Sequence, residues 1–319
     1  MPLLFGPVLS RRLGRSLGLD LVPKKICSMD CLYCEVGKTT LLTLERKDYI
    51  GWESIESAIR EAKNKVKTFD VLTITGSGEP TLCLYFEKTV EFAKKMIIKP
   101  ICVLTNSTTV MLPSVQEALA KVDLVLASLD SARKESFKLL NRPALGVSLE
   151  EIIKGLKDLR EIMEGELWLE ILLVKGINDK PEDLEALRWA INYISPHKVQ
   201  LNTVVRPPAY PIARPLSYEE MVKVKEFLGE KAEIISSKLP KSDLISPKEQ
   251  VEISIEEKEQ LLLEYLKRRP APLSELTSLF FFERELQELL EKMVESGKIR
   301  KVHHQGKIFY TAAKENSEN

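Results

Sequence analysis

Between about residues 15 and 236, two hydrophobic rhythms alternate along the chain. Short stretches rich in apolar and β-branched residues read as strands: 16–22 (SLGLDLV), 71–75 (VLTIT), 101–106 (ICVLTN), 123–130 (DLVLASLD), 167–174 (LWLEILLV) and 199–205 (VQLNTVV), each followed by turn chemistry. Between them, apolar residues recur at the helical spacing of three and four. Segment 52–66 sets Trp52, Ile55, Ala58, Ile59, Ala62 and Val66 on one face, and 84–96, 114–122, 148–163, 181–194 and 217–228 follow the same rule. Asn178 or Asp179 as cap and Pro181 in the first turn mark the start of the 181–194 helix. Six β-α repeats predict a parallel sheet with right-handed crossovers. They are too few to close an eight-stranded barrel. The expected fold class is therefore α/β, a partial (β/α)6 TIM-type barrel, with 232–237 (AEIISS) as a candidate edge strand.

Near residue 240 the rhythm changes. Residues 240–254 are polar and hold two prolines, the composition of a linker. Beyond them come a helix (255–269), a short helix (274–280), a third helix (283–297) and two strands around Gln305-Gly306. That order is the winged-helix arrangement. The expected domains are thus 1–239, a linker at 240–254, and 255–319.

Alternation along the strands separates two faces. Ser128 and Asp130 share a face of their strand, as do Trp168 with Glu170, and Gln200 with Asn202. One strand with inward polar groups is ordinary and reads as a hydrogen-bonded core layer. Polar groups on the inward faces of several strands point instead to a ligand site at the strands' C-terminal ends. Glu170 and Gln200 are candidate substrate contacts. Of Arg11, Arg12, Arg15, Arg142 and Arg206, the last is the best anion-binding candidate, because it ends a strand and is held by Pro207-Pro208.

Basic and acidic residues balance at 47 each, so no global field favours nucleic acid or membrane. No apolar run nears the roughly 18 residues that span a bilayer, and the start lacks the order of a secretory signal. A cytoplasmic protein with reduced thiols is expected. Three of the five cysteines nevertheless crowd into one stretch, KKICSMDCLYCEVGKTT, as Cys27, Cys31 and Cys34. Thiolates suit iron–sulfur clusters and zinc. A structural zinc site wants four ligands, usually as two pairs, and no second pair exists. Cys83 and Cys102 are isolated and read as buried small hydrophobes. Three thiolates can hold a four-iron cluster and leave one iron open for chemistry.

C-x3-C-x2-C with an aromatic before the last cysteine, after the first strand of a β/α barrel, resembles the radical S-adenosylmethionine (radical SAM) superfamily. The resemblance implies a [4Fe–4S] cluster on Cys27, Cys31 and Cys34, with SAM on the open iron. Its reductive cleavage gives a 5′-deoxyadenosyl radical that abstracts a substrate hydrogen, in oxygen-sensitive chemistry. TGSGEPTL (75–82) resembles the family's glycine-glycine-glutamate loop, giving Gly76, Ser77, Gly78 and Glu79 as SAM contacts. The physical sense is backbone close to ligand and carboxylate near ammonium. Ser128 and Asp130 match ribose-binding positions. Tyr33 is expected near the adenine, with Asn106 and Asn202 as further SAM contacts. A reductant such as ferredoxin or flavodoxin is implied as partner.

FGPVLSRRLGRSLG, with NRP (141–143) and NTVVRPPAY (202–210), resembles a narrower group with an FGPVxSRRLG signature, often compared with the tRNA wyosine-forming enzymes. Those enzymes carry second-cluster cysteines, and none precedes Cys27 here. The expected substrate is an RNA, foremost tRNA, reached by the basic wing (Lys298, Arg300, Lys301, Lys307), since the acidic third helix repels phosphate. The alternative is a protein- or peptide-modifying enzyme that uses the winged helix to dock its partner.

Overall fold

The strand expected at 16–22 forms, shifted by two residues, as β2 (Gly14–Asp20), and it opens a run of parallel strands. This computed structural model describes residues 2–10, 12–23, 25–235, 254–280 and 283–313. The linker expected at 240–254 lies almost wholly outside those residues, as does Arg11. The chain divides into two units, Pro2–Val204 with Pro208–Lys238, and Val205–Pro207 with Leu239–Asn319.

In the larger unit, β1 (Leu4–Ser10) and β2 form a hairpin, and β3 (Ile26–Cys27) and β4 (Leu41–Leu42) pair within the cysteine loop. The repeats follow: α1 (Trp52–Asn64), β5 (Val71–Thr75), α2 (Phe86–Met96), β6 (Ile101–Thr105), α3 (Pro113–Ala120), β7 (Leu124–Ser128), α4 (Lys134–Asn141), α5 (Leu149–Ile162), β8 (Glu166–Leu173), α6 (Pro181–Ile194), β9 (Lys198–Thr203), α7 (Tyr218–Leu228) and β10 (Ala232–Ile234). The sheet order is β1-β2-β5-β6-β7-β8-β9-β10, with only β1 antiparallel. The fold is therefore α/β on a parallel sheet. The candidate edge strand forms over 232–234. The β1 hairpin and α4 were not expected from the sequence pattern.

Period-2 packing explains the layers. Leu167, Leu169, Ile171 and Leu173 of β8 are fully buried among helix residues such as Ile152, Leu156 and Leu187. Trp168, Glu170 and Leu172 occupy the opposite face, where Val71, Cys102 and Leu126 form a second apolar cluster beside Trp168. Successive helices pack side by side along the outer face. Gly165 enters β8 where backbone crowds it: an added Cβ would stand 2.3 Å from the Val122 carbonyl oxygen and 2.5 Å from that of Asp123.

The smaller unit contains α8 (Ile255–Arg268), β11 (Ala271–Pro272), α9 (Leu273–Phe280), α10 (Glu283–Glu295), β12 (Ile299–His304) and β13 (Lys307–Ala312). Ser254 and Glu257 make a reciprocal capping box on α8. Strands order as β11-β13-β12, and Gln305 and Gly306, both at positive φ, form the two-residue hairpin turn. Leu262, Leu266, Leu276, Leu290, Met293 and Phe309 are buried in it.

Because no flexible side chain can yield beside Gly165, Gly165→Ala is expected to destabilise the protein by about 1–3 kcal/mol. Chemical denaturation followed by circular dichroism measures this; an unchanged midpoint would contradict the packing described.

Candidate active site around the cysteine loop

The cysteine loop leaves β2 and returns through β4, and it is held from two sides, by the ends of β5 and β6 and by the segment after β7. The first is the loop after β5. Gly78 lies so close under the loop that an added Cβ would stand 1.6 Å from the Ile26 carbonyl oxygen. The Glu79 amide donates to that same oxygen at 3.1 Å. Only glycine permits this approach. Ser77, expected to contact SAM, instead faces Asp20: its amide and hydroxyl donate to the Asp20 carboxylate at 3.0 and 2.6 Å. Gly76 packs against Val22, with 2.5 Å between its ideal Cβ position and a Val22 methyl.

Glu79 is 1 % exposed. Its Oε1 accepts from the Thr81 amide (3.2 Å), the Thr81 hydroxyl (2.6 Å) and the Thr105 hydroxyl (2.8 Å), and its Oε2 from the Asn106 amide (2.6 Å). Burial raises its pKa, and these donors oppose the rise. Asn106 turns its side-chain amide to the loop, donating to Cys27 Sγ at 3.4 Å and to Ser28 Oγ at 3.0 Å.

The second support is the segment after β7. Asp130 is buried, and Tyr33 donates its hydroxyl to Asp130 Oδ2. Asn141 Nδ2 donates to the same oxygen at 2.7 Å and to Cys31 Sγ at 3.5 Å, and the Leu172 amide meets Asp130 Oδ1 at 2.9 Å. Asp130 and Tyr33, expected at ribose and adenine, thus engage each other and fasten the loop to β7 and β8. Ser128 lines a small cavity of about 10 Å³ with Asn106, Asp130 and Asn141. Asn141 Oδ1 is buried without a donor.

The thiols sense one another electrostatically. Burial pushes Cys27 up to about 11, with Lys25 pulling the other way, and burial raises Cys31 as well. Lys25 is 7 % exposed. Burial disfavours its charge, but the sulfurs of Cys34, Cys27 and Cys31 outweigh this and raise its pKa. Among the described residues, no three Cys, His, Asp or Glu side chains close on one point as a single ion requires. The donor set fits a larger group. It offers three thiols in mutual range, two amide donors on sulfur that favour thiolate, and a buried cation facing all three.

The remaining expected residues lie elsewhere. Glu170 accepts from Arg12 at 2.7 Å and from Asn202 Nδ2 at 3.2 Å, so Asn202 meets Glu170. Gln200 is buried and donates to Glu233 at 3.0 Å. Arg206 belongs to the smaller unit, where it donates to Glu275 at 2.7 Å beside Arg269 and Tyr265. Cys83 and Cys102 are fully buried. Lys25, Ser28, Asn141 and Asp20 were missed from the sequence. The Lys24-Lys25 pair just before Cys27 was the one available signal; the others act through partners distant in the chain.

Residues 21–188 match the Radical SAM superfamily profile. Over 309 residues the chain is 33 % identical to the GTPase Obg of Brachyspira hyodysenteriae, covering 96 % of this chain and 44 % of that protein. It is 32 % identical over 316 residues to a UPF0026 protein of Methanocaldococcus jannaschii, covering 97 % and 96 % of the two. The solved structure of Streptococcus suis SuiB bound to S-adenosylmethionine has a TM-score of 0.52 at 16 % identity, over 70 % of this chain and 52 % of that one, a likeness of fold. The chain thus spans less than half of the first relative and about half of the solved structure. The tripeptide Gly37-Lys38-Thr39 is no phosphate loop, since Leu32 stands where its first glycine belongs.

Two outcomes are expected. Gly78→Ala should displace the Ile26 carbonyl and lower iron–sulfur loading to less than half of the wild type with the circular dichroism spectrum retained; full loading would contradict the close approach. Burial raises the Asp130 carboxyl to about 6 from an ordinary 3.8. Its proton is held more tightly in the folded state, so its stabilisation is complete below about pH 4 and is lost as pH rises through about 6, a swing on the order of 3 kcal/mol. Asp130→Asn should flatten that slope in denaturation curves taken from pH 4 to 7; an identical slope would contradict it.

Proposed function

This chain belongs to the radical SAM superfamily, and from that premise we propose that it cleaves SAM reductively at one cluster and directs hydrogen abstraction at an RNA, foremost tRNA. The family uses a [4Fe–4S] cluster and SAM. When bound, these groups supply one-electron cleavage of the sulfonium and a 5′-deoxyadenosyl radical that takes a substrate hydrogen. Cys27, Cys31 and Cys34 would hold the cluster. Asn106 and Asn141 donate to two of the sulfurs, and Lys25 balances their charge. Gly76, Gly78 and Glu79 would border SAM, with Ser128 as a polar contact from β7.

The observation that carries this reading is the seating of the 76–79 loop directly beneath the cysteine loop, at Gly78 and the Ile26 carbonyl. It brings the thiols and the SAM-type loop to one end of one sheet. The RNA assignment rests on the likeness of residues 5–18, 141–143 and 202–210 to the group compared with wyosine-forming enzymes. It also rests on reading the smaller unit as a winged helix whose hairpin exposes Arg300 and Lys307.

A second reading, a protein or peptide substrate, is favoured by one feature. Lys301 is bonded to Glu291 at 2.7 Å and Lys298 to Glu259, so half of the basic wing is already neutralised.

Under reducing, oxygen-free conditions the reconstituted protein should convert SAM to 5′-deoxyadenosine, and Cys→Ala at 27, 31 or 34 should abolish this. Nucleoside mass spectrometry of tRNA from deletion cells should lack one modified base. An unchanged nucleoside profile would sink the RNA assignment, and absence of 5′-deoxyadenosine would sink the radical reading.

A further inference from the structure

Beside the cysteine loop lies a groove of about 410 Å³, lined by Asp30, Leu42, Lys138, Arg142, Ala144 and Leu145 among others. Its apolar groups are unusually open to solvent: Leu145 is 100 % exposed and Leu42 45 %. Its rim is cationic. Lys38 and Lys138 are exposed, and the groove's one acid, Asp30, is spent on the Thr39 amide (2.8 Å), the Tyr210 hydroxyl (2.6 Å) and Arg142 (3.4 Å), so the two lysines set the sign of the rim.

The groove's wall is tied to the thiols. Segment 140–144 runs along 28–32: the Asp30 amide donates to the carbonyls of Asn141 (3.0 Å) and Arg142 (3.2 Å), Leu32 to Leu140 (2.9 Å), and Ala144 to Ser28 (2.9 Å). From Arg142 the path to sulfur is one peptide bond and one hydrogen bond, since Asn141 Nδ2 lies 3.5 Å from Cys31 Sγ.

Building on the radical SAM reading, we infer that this groove docks the acidic protein that delivers the electron. An apolar anchor ringed by cations suits a small carrier with an acidic face, for which charge complementarity sets the association rate. The carrier loses one electron and the cluster accepts it; no bond or proton moves at this surface. A nucleic acid fits less well. Its lining carries no aromatic ring on which a base could stack, and the Tyr210 ring beyond it already packs against Lys38 (4.9 Å to the centroid) and Arg142 (4.5 Å).

The test uses the full-length reconstituted protein and two reductants, a purified flavodoxin in its fully reduced form and dithionite. Bleaching of the cluster absorbance is followed by stopped flow. Lys138 and Leu145 have exposed side chains outside the cluster and SAM site, so K138E/L145E should fold and load iron as the wild type does. The double variant should slow reduction by flavodoxin about tenfold at low salt and leave the dithionite rate unchanged; K138R should behave as the wild type. Equal rates with flavodoxin in variant and wild type would overturn the proposal, as would equal slowing with both reductants. So would loss of tRNA binding in the variant with flavodoxin reduction intact, which would give the groove to RNA. Failure of the radical reading looks different: no dithionite-bleachable absorbance appears even in the wild type.

Discussion

One close approach organises this site, the missing side chain at Gly78 beneath the Ile26 carbonyl. A Cβ there would stand 1.6 Å from that oxygen. Because no other residue fits, the loop after β5 and the loop after β2 hold a fixed distance, and the Glu79 amide bonds the same carbonyl. Glu79 then reaches on to Thr105 and Asn106 at the end of β6, and Asn106 returns to Cys27 and Ser28. Three adjacent strand ends are thereby tied through the cysteine loop. From the other side, Asp130 and Asn141 fasten Tyr33 and Cys31 to β7 and β8.

The electrostatics follow from this closure. Glu79 and Asp130 are both buried carboxyls, and each is surrounded by donors rather than by a full counter-charge. Burial still raises both pKa values. The cation of the site, Lys25, faces the sulfurs instead. This division suits a centre that must hold thiolates while keeping its framework acids from competing for them.

The repeating strands and helices were legible because a parallel sheet covered by helices imposes its periods on the sequence. Leu167, Leu169, Ile171 and Leu173 alternate as β8 requires, and Ile55, Ala58, Ile59 and Ala62 recur as α1 requires. The β1 hairpin was not legible. Its strand contains Gly6 and Pro7, reads as irregular, and keeps its pairing to β2 by shifting register between Phe5 and Val8. The helix α4 (KESFKLLN) was not picked out from the sequence pattern. At the site, the cysteines were legible because their spacing is local. The partners of Ser77, Tyr33 and Asp130 were not, because each is decided by a residue far away in the chain: Asp20 lies 57 positions from Ser77, and Tyr33 97 from Asp130. For the same reason the bond between Glu170 and Arg12, 158 positions apart, was not legible.

The central claim is that three thiols hold a cluster with one iron open to SAM. Electron paramagnetic resonance of the dithionite-reduced, reconstituted protein tests it most directly. Adding SAM should shift the g-values of the reduced cluster, because the ligand binds the open iron. A fully loaded cluster whose spectrum is unaltered by saturating SAM would contradict the account.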